Sequence, residues 1–292
     1  MNKKEISASL AGTVSLGGEV SINRLGFGAM RLTGEGIWGP PRDRKKALAV
    51  LRRAVELDVN FVDTADSYGP NVSEELIAEA LFPYPKGLVI ATKGGWDRPG
   101  PDQWTHDASP DHLRKAVEGS LKRLRLDRID LYQLHTPDPV VSFDASVETL
   151  AELRNQGKIR LVGLSNVTRE HIERARRIVP IVSVQNRYSF ADREWDYVVD
   201  YCENNEIAFI PWFPLAAGKV AGDVLGEIAQ AHQASPKQVA LAWLLRRSAV
   251  MLPIPGTSSI EHLEENVAAA SIRLTEEEHE RLASVSEMGW AA

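Results

Sequence analysis

Short, nearly apolar runs recur along this chain, and most follow a segment with helical periodicity. Asp43 to Leu57 carries Ala47, Leu48, Leu51, Ala54 and Val55 at helical spacing and leads into VNFVD. Ser73 to Leu81 leads into LVIATK. Ser109-Pro110, an N-cap followed by proline at the first helical position, opens a helix that leads into IDLYQLH. Ala145 to Asn155 precedes IRLVGLSN, a helix after Thr168 precedes IVSVQN, and Arg193 to Asn204 precedes IAFIPWFP. Ser235 and Gln238 form a capping box ahead of the last unit, VMLPIPG. With INRLGFG as the first, about eight strands alternate with helices. Strands this apolar are covered on both faces, as in a parallel sheet wrapped by helices.

The alternation is even, and no Pro/Gly/Ser-rich linker divides the chain. The spacing therefore predicts one domain over residues 1–292, an α/β fold of the (β/α)8 TIM-barrel type. TVSLGGEVSI ahead of it reads as an N-terminal β-hairpin turning at Gly17-Gly18. The glycine-rich GFGAMRLTG is not followed promptly by a helix, so it makes a poor dinucleotide fingerprint.

Composition narrows the function. The 292 residues are 43% hydrophobic and 25% charged, with a net charge of −6, against a dedicated nucleic-acid binder. One cysteine, Cys202, allows neither an internal disulfide nor a cysteine-based metal site. No run approaches membrane-span length, and the first residues lack a signal-peptide core. A cytoplasmic protein without membrane or nucleic-acid partners is expected. No coiled-coil pattern speaks to oligomeric state.

Polar residues close the strands. Asp63 ends the second, Lys93 the third, His135 the fourth, Ser165-Asn166 the fifth and Gln185-Asn186 the sixth. In a parallel barrel these ends open onto one face, where active sites lie. A lone histidine there is more often structural, but a lysine after VIAT needs a partner. Tyr68 follows Asp63 closely. A phenol beside an ammonium is a general acid whose pKa the cation lowers. Neither a nucleophile elbow nor a metal-binding histidine pattern occurs, so no metal is expected. Protonation of a carbonyl oxygen fits these groups, with hydride supplied by a cofactor.

The motifs FVDTADSYG, ATKGG, DLYQLHTPDP, GKIRLVGLSN, VQNRYS, PWFPLAAG and IPGTSSIEHLEEN occur in order, one per strand end. In these the chain resembles the aldo-keto reductases over almost its whole length. The resemblance implies that Tyr68 donates a proton to the substrate, that Lys93 lowers its pKa, that Asp63 pairs with Lys93, and that His135 orients the carbonyl. Asp66 then caps the loop. It further implies that Ser165, Asn166 and Gln185 hold a nicotinamide carboxamide. Trp212 stacks on the ring where the family usually has tyrosine. Phe213, Pro214, Leu215 and Gly218 follow the pyrophosphate, and Met30, Arg31 and Gly256 also contact the nucleotide.

Thr257, Ser258 and His262 are expected at the 2′-phosphate, and Glu265 and Asn266 at adenine. Ser258 with Glu261 reads as a capping box. A lysine near Gly256 and an arginine at position 262, frequent in relatives that prefer the phosphorylated cofactor, are absent. NADPH is the expected cofactor, with NADH also open. Trp38, Trp96 and the tail residue Trp290 are candidate walls of a pocket for a flat or aromatic carbonyl. The GPPRD element and chain length are similar to bacterial pyridoxal-reducing members. Two rivals stand beside this reading: a nucleotide-sensing or regulatory barrel with little turnover, and a metal-dependent hydrolase, for which only His135 is a credible ligand.

Overall fold

The computed structural model describes residues 6–215 and 223–287. Seven strands form one parallel sheet in the order β11-β10-β9-β8-β5-β4-β3. They are β3 (Phe27–Gly28), β4 (Phe61–Asp63), β5 (Val89–Gly94), β8 (Ile129–Leu134), β9 (Ile159–Ser165), β10 (Ile181–Gln185) and β11 (Ala208–Phe209). The eighth position is not a full strand. It is held by a parallel bridge between Phe209 and Met251, by Leu252 N–H donating to Phe209 O at 2.8 Å, and by Gly26 N–H donating to Pro253 O at 2.9 Å. Pro253 and Pro255 lack N–H donors, so this segment cannot carry a regular ladder. It still joins the sheet's two edges and closes the barrel.

The seam also demands small residues. A Cβ on Gly28 would lie 2.7 Å from Ile254 O, and one on Gly256 would lie 2.5 Å from Gly28 O. The two bare backbones pass each other where the cleft opens.

Helices α1 (Arg44–Glu56), α2 (Val72–Leu81), α3 (Pro110–Leu124), α4 (Phe143–Asn155), α5 (Arg169–Ala175) and α6 (Asp196–Asn204) follow successive strands. Then come α7 (Asp223–Ala231), α8 (Pro236–Arg247), α9 (Ile260–Ala268) and α10 (Glu276–Glu287). The starts follow local chemistry. Asp43, Ser109 and Thr168 accept from N3 backbone N–H groups, and Ser235 with Gln238 closes the expected capping box. The expected box on Ser258 and Glu261 does not form. Ser259 is the N-cap of α9 and accepts from His262 N–H, because the helix starts one residue later.

The N-terminal hairpin, β1 (Thr13–Leu16) with β2 (Val20–Asn23), forms as expected, but its register pairs Leu16 with Val20. The connection therefore spans three residues, with Gly17 and Gly18 both at positive φ. Val14, Leu16 and Ile22 pack on barrel-interior residues including Phe61, Leu131, Leu161 and Val182, so the hairpin plugs the interior. A second hairpin was not foreseen. After Lys93 the chain forms β6 (Trp96–Gly100) and β7 (Gln103–His106).

Under α2 and α3 lies a buried charged layer. Glu74 is fully buried, accepts from Thr92 Oγ1 at 2.5 Å and pairs with Arg123 Nε at 2.6 Å. Asp66 lies against this layer. It interacts with the Ser67 N–H, as a loop cap would, but its Oδ1 is buried and has no hydrogen-bond partner among the described residues. Burial pushes its carboxyl up to about 8. Glu74 adds to the rise, and Arg123, Ser67 N–H and Lys93 oppose it.

An unfolded aspartate ionises near pH 4. Between that value and about 8 the folded chain holds one proton more than the unfolded chain, so this group's contribution to stability falls as pH rises. Asp66→Asn removes that dependence. Urea midpoints of the two proteins from pH 5 to 8 are expected to diverge in the variant's favour by up to ~1.4 kcal/mol per pH unit. A constant difference would mean that Asp66 is ionised throughout.

Candidate functional site

The strand ends and the loop after β4 bring Asp63, Tyr68, Lys93 and His135 together, and all but Lys93 line one cavity. Lys93, fully buried near the end of β5, donates to Asp63 Oδ1 at 2.6 Å and to Thr64 O at 2.9 Å. Its third near contact is Tyr68 Oη, at 3.4 Å. Asp63 Oδ2 accepts from Gln185 Nε2 at 2.9 Å and Gln133 Nε2 at 3.2 Å. The carboxylate thus has three side-chain donors, which is how a buried charge is tolerated. Gln133 escaped the sequence reading because it sits mid-run in IDLYQLH, where a buried glutamine reads as an exception in a strand.

Burial works against the Lys93 ammonium, but Asp63 and Tyr68 outweigh it and hold its pKa above the usual lysine value. The expectation for Tyr68 needs correcting in its net direction. Burial pushes the phenol up; Lys93 pulls it down, Asp63 pushes it up again, and the balance stays above the ordinary value. Tyr68 is therefore a protonated donor at neutral pH.

His135 follows β8, with its ring 5.8 Å from that of Tyr68 in an edge-on arrangement. Burial, then Lys93 and Arg98, hold its pKa well below the usual histidine value. The imidazole is neutral. Ser67 Oγ lies 3.4 Å from Nδ1. With the hydroxyl donating to Nδ1, the ring proton sits on Nε2, and His135 is a second neutral donor.

Asp63, Tyr68 and His135 line a cavity of about 240 Å³ together with Gly28, Met30, Arg31, Ser165, Asn166, Gln185, Trp212, Phe213, Pro214, Leu215 and Gly256. The indole of Trp212 is fixed by its Nε1–H donating to Asn166 Oδ1 at 3.0 Å. Asn166 Nδ2 in turn donates to His135 O at 3.0 Å. Asn166 has φ +57°, a left-handed conformation that asparagine tolerates. A flat ring wall is thereby tied to the backbone of His135.

A second cavity of about 630 Å³ shares Met30, Arg31, Leu215 and Gly256 with the first, so the two form one cleft. Thr257, Ser258, His262, Glu265 and Asn266 line its far end. Lys237 from α8 and Arg31 line it as well, giving cationic side chains that the 256–262 segment lacks. Glu265 accepts from Ser235 Oγ at 2.6 Å, tying α9 to the start of α8. A flat wall beside two proton donors, bare glycine backbone midway, and hydroxyls with cations at the far end fit the parts of a nicotinamide nucleotide. Gly218 and Trp290 lie outside the described residues.

The substrate walls differ from expectation. Neither Trp38 nor Trp96 lines the cavity; Trp104 does. The β6–β7 hairpin is the reason. It pairs Trp96 with His106, whose rings lie 4.1 Å apart, and carries Trp104 to the cavity, 6.4 Å from the His135 ring. Trp96 lies 5.8 Å from Trp104 and 6.3 Å from the His135 ring without lining the cavity. The signal was present as PGPD between two tryptophan-bearing runs, a turn composition that predicts a hairpin.

Comparison with known proteins agrees with this geometry. Residues 24–287 match the Aldo/keto reductase family. An uncharacterized oxidoreductase of Schizosaccharomyces pombe is 51% identical over 274 residues, 93% of this chain and 89% of that protein. Pyridoxine 4-dehydrogenase of Escherichia coli is 46% identical over 268 residues, 89% of this chain and 93% of that protein. Among solved structures, an aldo/keto reductase from Klebsiella pneumoniae in complex with NADP and acetate superposes with a TM-score of 0.81 at 26% identity, covering 96% of each chain. A thermostable aldo-keto reductase bound to the inhibitor epalrestat gives 0.83 at 30% identity, covering 94% of this chain and 99% of that one. The chain belongs to the aldo/keto reductase family of NAD(P)H-dependent oxidoreductases.

Proposed function

We propose that this protein reduces an aromatic aldehyde of the pyridoxal type to its alcohol with NADPH, and runs the reverse oxidation with NADP+. The observation that carries the reading is that Tyr68 and His135 line one cavity with Trp104 and Trp212, Trp104 lying edge-on to His135. The 46% identical pyridoxine 4-dehydrogenase supports the substrate class.

The nucleotide, when bound, supplies hydride at one face of its nicotinamide. The protein's part is to hold the carbonyl and deliver a proton. Trp212, fixed by Asn166, is the platform for the ring, and Ser165 with Gln185 is within the same wall. His135 Nε2–H donates to the carbonyl oxygen and sets its direction. Tyr68 Oη transfers its proton to that oxygen as charge develops there. Lys93, 3.4 Å from Tyr68 Oη, stabilises the phenolate left behind, and Asp63 keeps the ammonium in place. Trp104 limits access from the substrate side.

NADPH consumption with a panel containing pyridoxal, benzaldehyde and propanal tests the reading. Tyr68→Phe is expected to lower kcat by roughly 10²- to 10⁴-fold with little change in the affinity for NADP+. Turnover of propanal with none of either aromatic aldehyde would overturn the substrate class. Tight nucleotide binding with no turnover of any aldehyde would instead favour the regulatory barrel.

The displaced pKa values predict the pH profile. Reduction needs Tyr68 protonated, and its phenol lies above the ordinary value, so the rate falls only as pH rises through that raised pKa. His135 lies well below the ordinary value, so no step is expected near pH 6.5. A plateau in kcat from pH 6 to 9 checks both; an acid-side loss near 6.5 would place His135 back among ordinary histidines.

Cofactor choice rests on Lys237 and His262 in the second cavity and on Arg31 where the two cavities meet. Lys237→Ala is expected to weaken NADP+ binding by about tenfold, the size of one charge-assisted contact, and to leave NAD+ unchanged. Tryptophan-fluorescence titrations of both nucleotides measure this. Equal losses for the two would mean that Lys237 does not meet the 2′-phosphate.

A further inference from the structure

We infer that Arg98 is the positioning residue that assembles the substrate side of the cleft, and that through Trp104 it sets the preference for flat aromatic carbonyls. The kinetic part of this rests on the reductase reading above; the structural part does not.

Arg98 is 6% exposed, yet its guanidinium donates only to main-chain carbonyls among the described residues; its backbone N–H donates to Asp97 Oδ1 at 2.9 Å. The guanidinium donors go to main-chain carbonyls of its own hairpin and of two separate loops. Nε donates to Gln103 O at 2.8 Å, in its own hairpin. Nη2 donates to Gly36 O at 2.9 Å and Nη1 to Ile37 O at 3.1 Å, both in the loop after β3. Nη1 also donates to Ser67 O at 2.9 Å, in the loop after β4. Ser67 directly precedes Tyr68, and its hydroxyl faces His135 Nδ1. One planar cation thus joins the three segments that surround the proton donors.

The same guanidinium is stacked. Its carbon lies 3.7 Å from the Trp104 ring centroid and 5.7 Å from that of Trp38. Trp104 faces the cavity, whereas Trp38 is bridged to Gly69 behind it. Stacking fixes the plane of Trp104, and the four hydrogen bonds fix the plane of the guanidinium. The main chain reinforces the junction. Gly39 N–H donates to Gly69 O, Gly69 N–H to Ile37 O, and Asp102 N–H to Gly36 O, the last at the hairpin tip.

A lysine at this position keeps the charge and stem but lacks the planar fork, so it cannot serve carbonyls of the hairpin and two loops while stacking on an indole. This makes Arg98→Lys the discriminating variant. Amide hydrogen exchange is expected to rise together in residues 34–39, 67–69 and 96–107 and to stay unchanged in the barrel strands. KM for pyridoxal or benzaldehyde is expected to rise by about tenfold or more, with KM for propanal and the affinity for NADP+ within about twofold. Trp104→Ala should reproduce the aromatic KM rise, and the double variant should be no worse than either single one, because both act through one wall.

Faster exchange confined to the hairpin would overturn the junction. Coordinated loop opening with unchanged aromatic KM would overturn the link to specificity. If the parent protein reduces no aldehyde, the reductase reading fails, and the exchange pattern alone still decides whether Arg98 joins the loops. If Arg98→Lys does not fold, Trp104→Phe, which keeps a weaker ring for stacking, is expected to give a smaller aromatic KM rise than Trp104→Ala; equal effects would overturn the proposal.

Discussion

The ion pair between Lys93 and Asp63 is the constraint around which the site is arranged. Both side chains are buried in the barrel, and separating either charge from water is costly. The cost is met by geometry. Asp63 takes donors from Lys93, Gln133 and Gln185, which come from three different strands. Lys93 gives its remaining donors to Thr64 O and toward Tyr68. A shift of any of these strands along its neighbour would strand a buried charge, so the pair pins the register of the sheet as well as the phenol. A buried ion pair adds little net stability; here it holds Tyr68 beside a cation at the cavity wall.

That arrangement also explains why burial and charge pull in opposite directions on the two donors. Burial raises the phenol of Tyr68, and only partly does Lys93 offset this. The same burial, with Lys93 and Arg98 nearby, keeps His135 neutral. Two neutral donors suit a substrate oxygen that is uncharged before reaction and gains charge during it. An imidazolium would hold a ground-state anion too well, and a phenolate would have no proton to give.

The fold was legible because its signal is repeated. Eight apolar runs with capped helices between them leave few alternatives, and Asp43, Ser109, Thr168 and Ser235 cap where local chemistry placed them. Asp63, Tyr68, Lys93 and His135 were legible for a related reason: a strand end in a parallel barrel has a known destination. What the sequence hid are contacts set by loop path. Trp38 and Trp96 stand back from the cavity and Trp104 lines it, because the β6–β7 hairpin decides which indole turns inward. Lys237 lies near His262 only because α8 packs against α9, and Ser235 bonded to Glu265 records that packing. Gln133 and Glu74 are buried polar residues whose partners come from other elements, and no local pattern announces such pairs.

The division of labour within the cleft follows from the same difference between strands and loops. Groups that must keep fixed distances, Asp63, Lys93 and the glutamines, lie on strands held by main-chain ladders on both sides. Groups on the substrate side, Trp104 and the residues near Gly36 and Ser67, lie on the two-stranded β6–β7 hairpin and on loops, outside the ladders of the main sheet. Loops without a ladder need another source of order if a specific substrate is to be selected, since each mobile wall residue costs binding energy when it is immobilised. Arg98 supplies that order by giving main-chain carbonyls of the hairpin and two loops a common donor. A change in loop sequence can then alter the substrate while the proton-transfer apparatus on the strands is left intact, provided the new loops still meet a shared anchor.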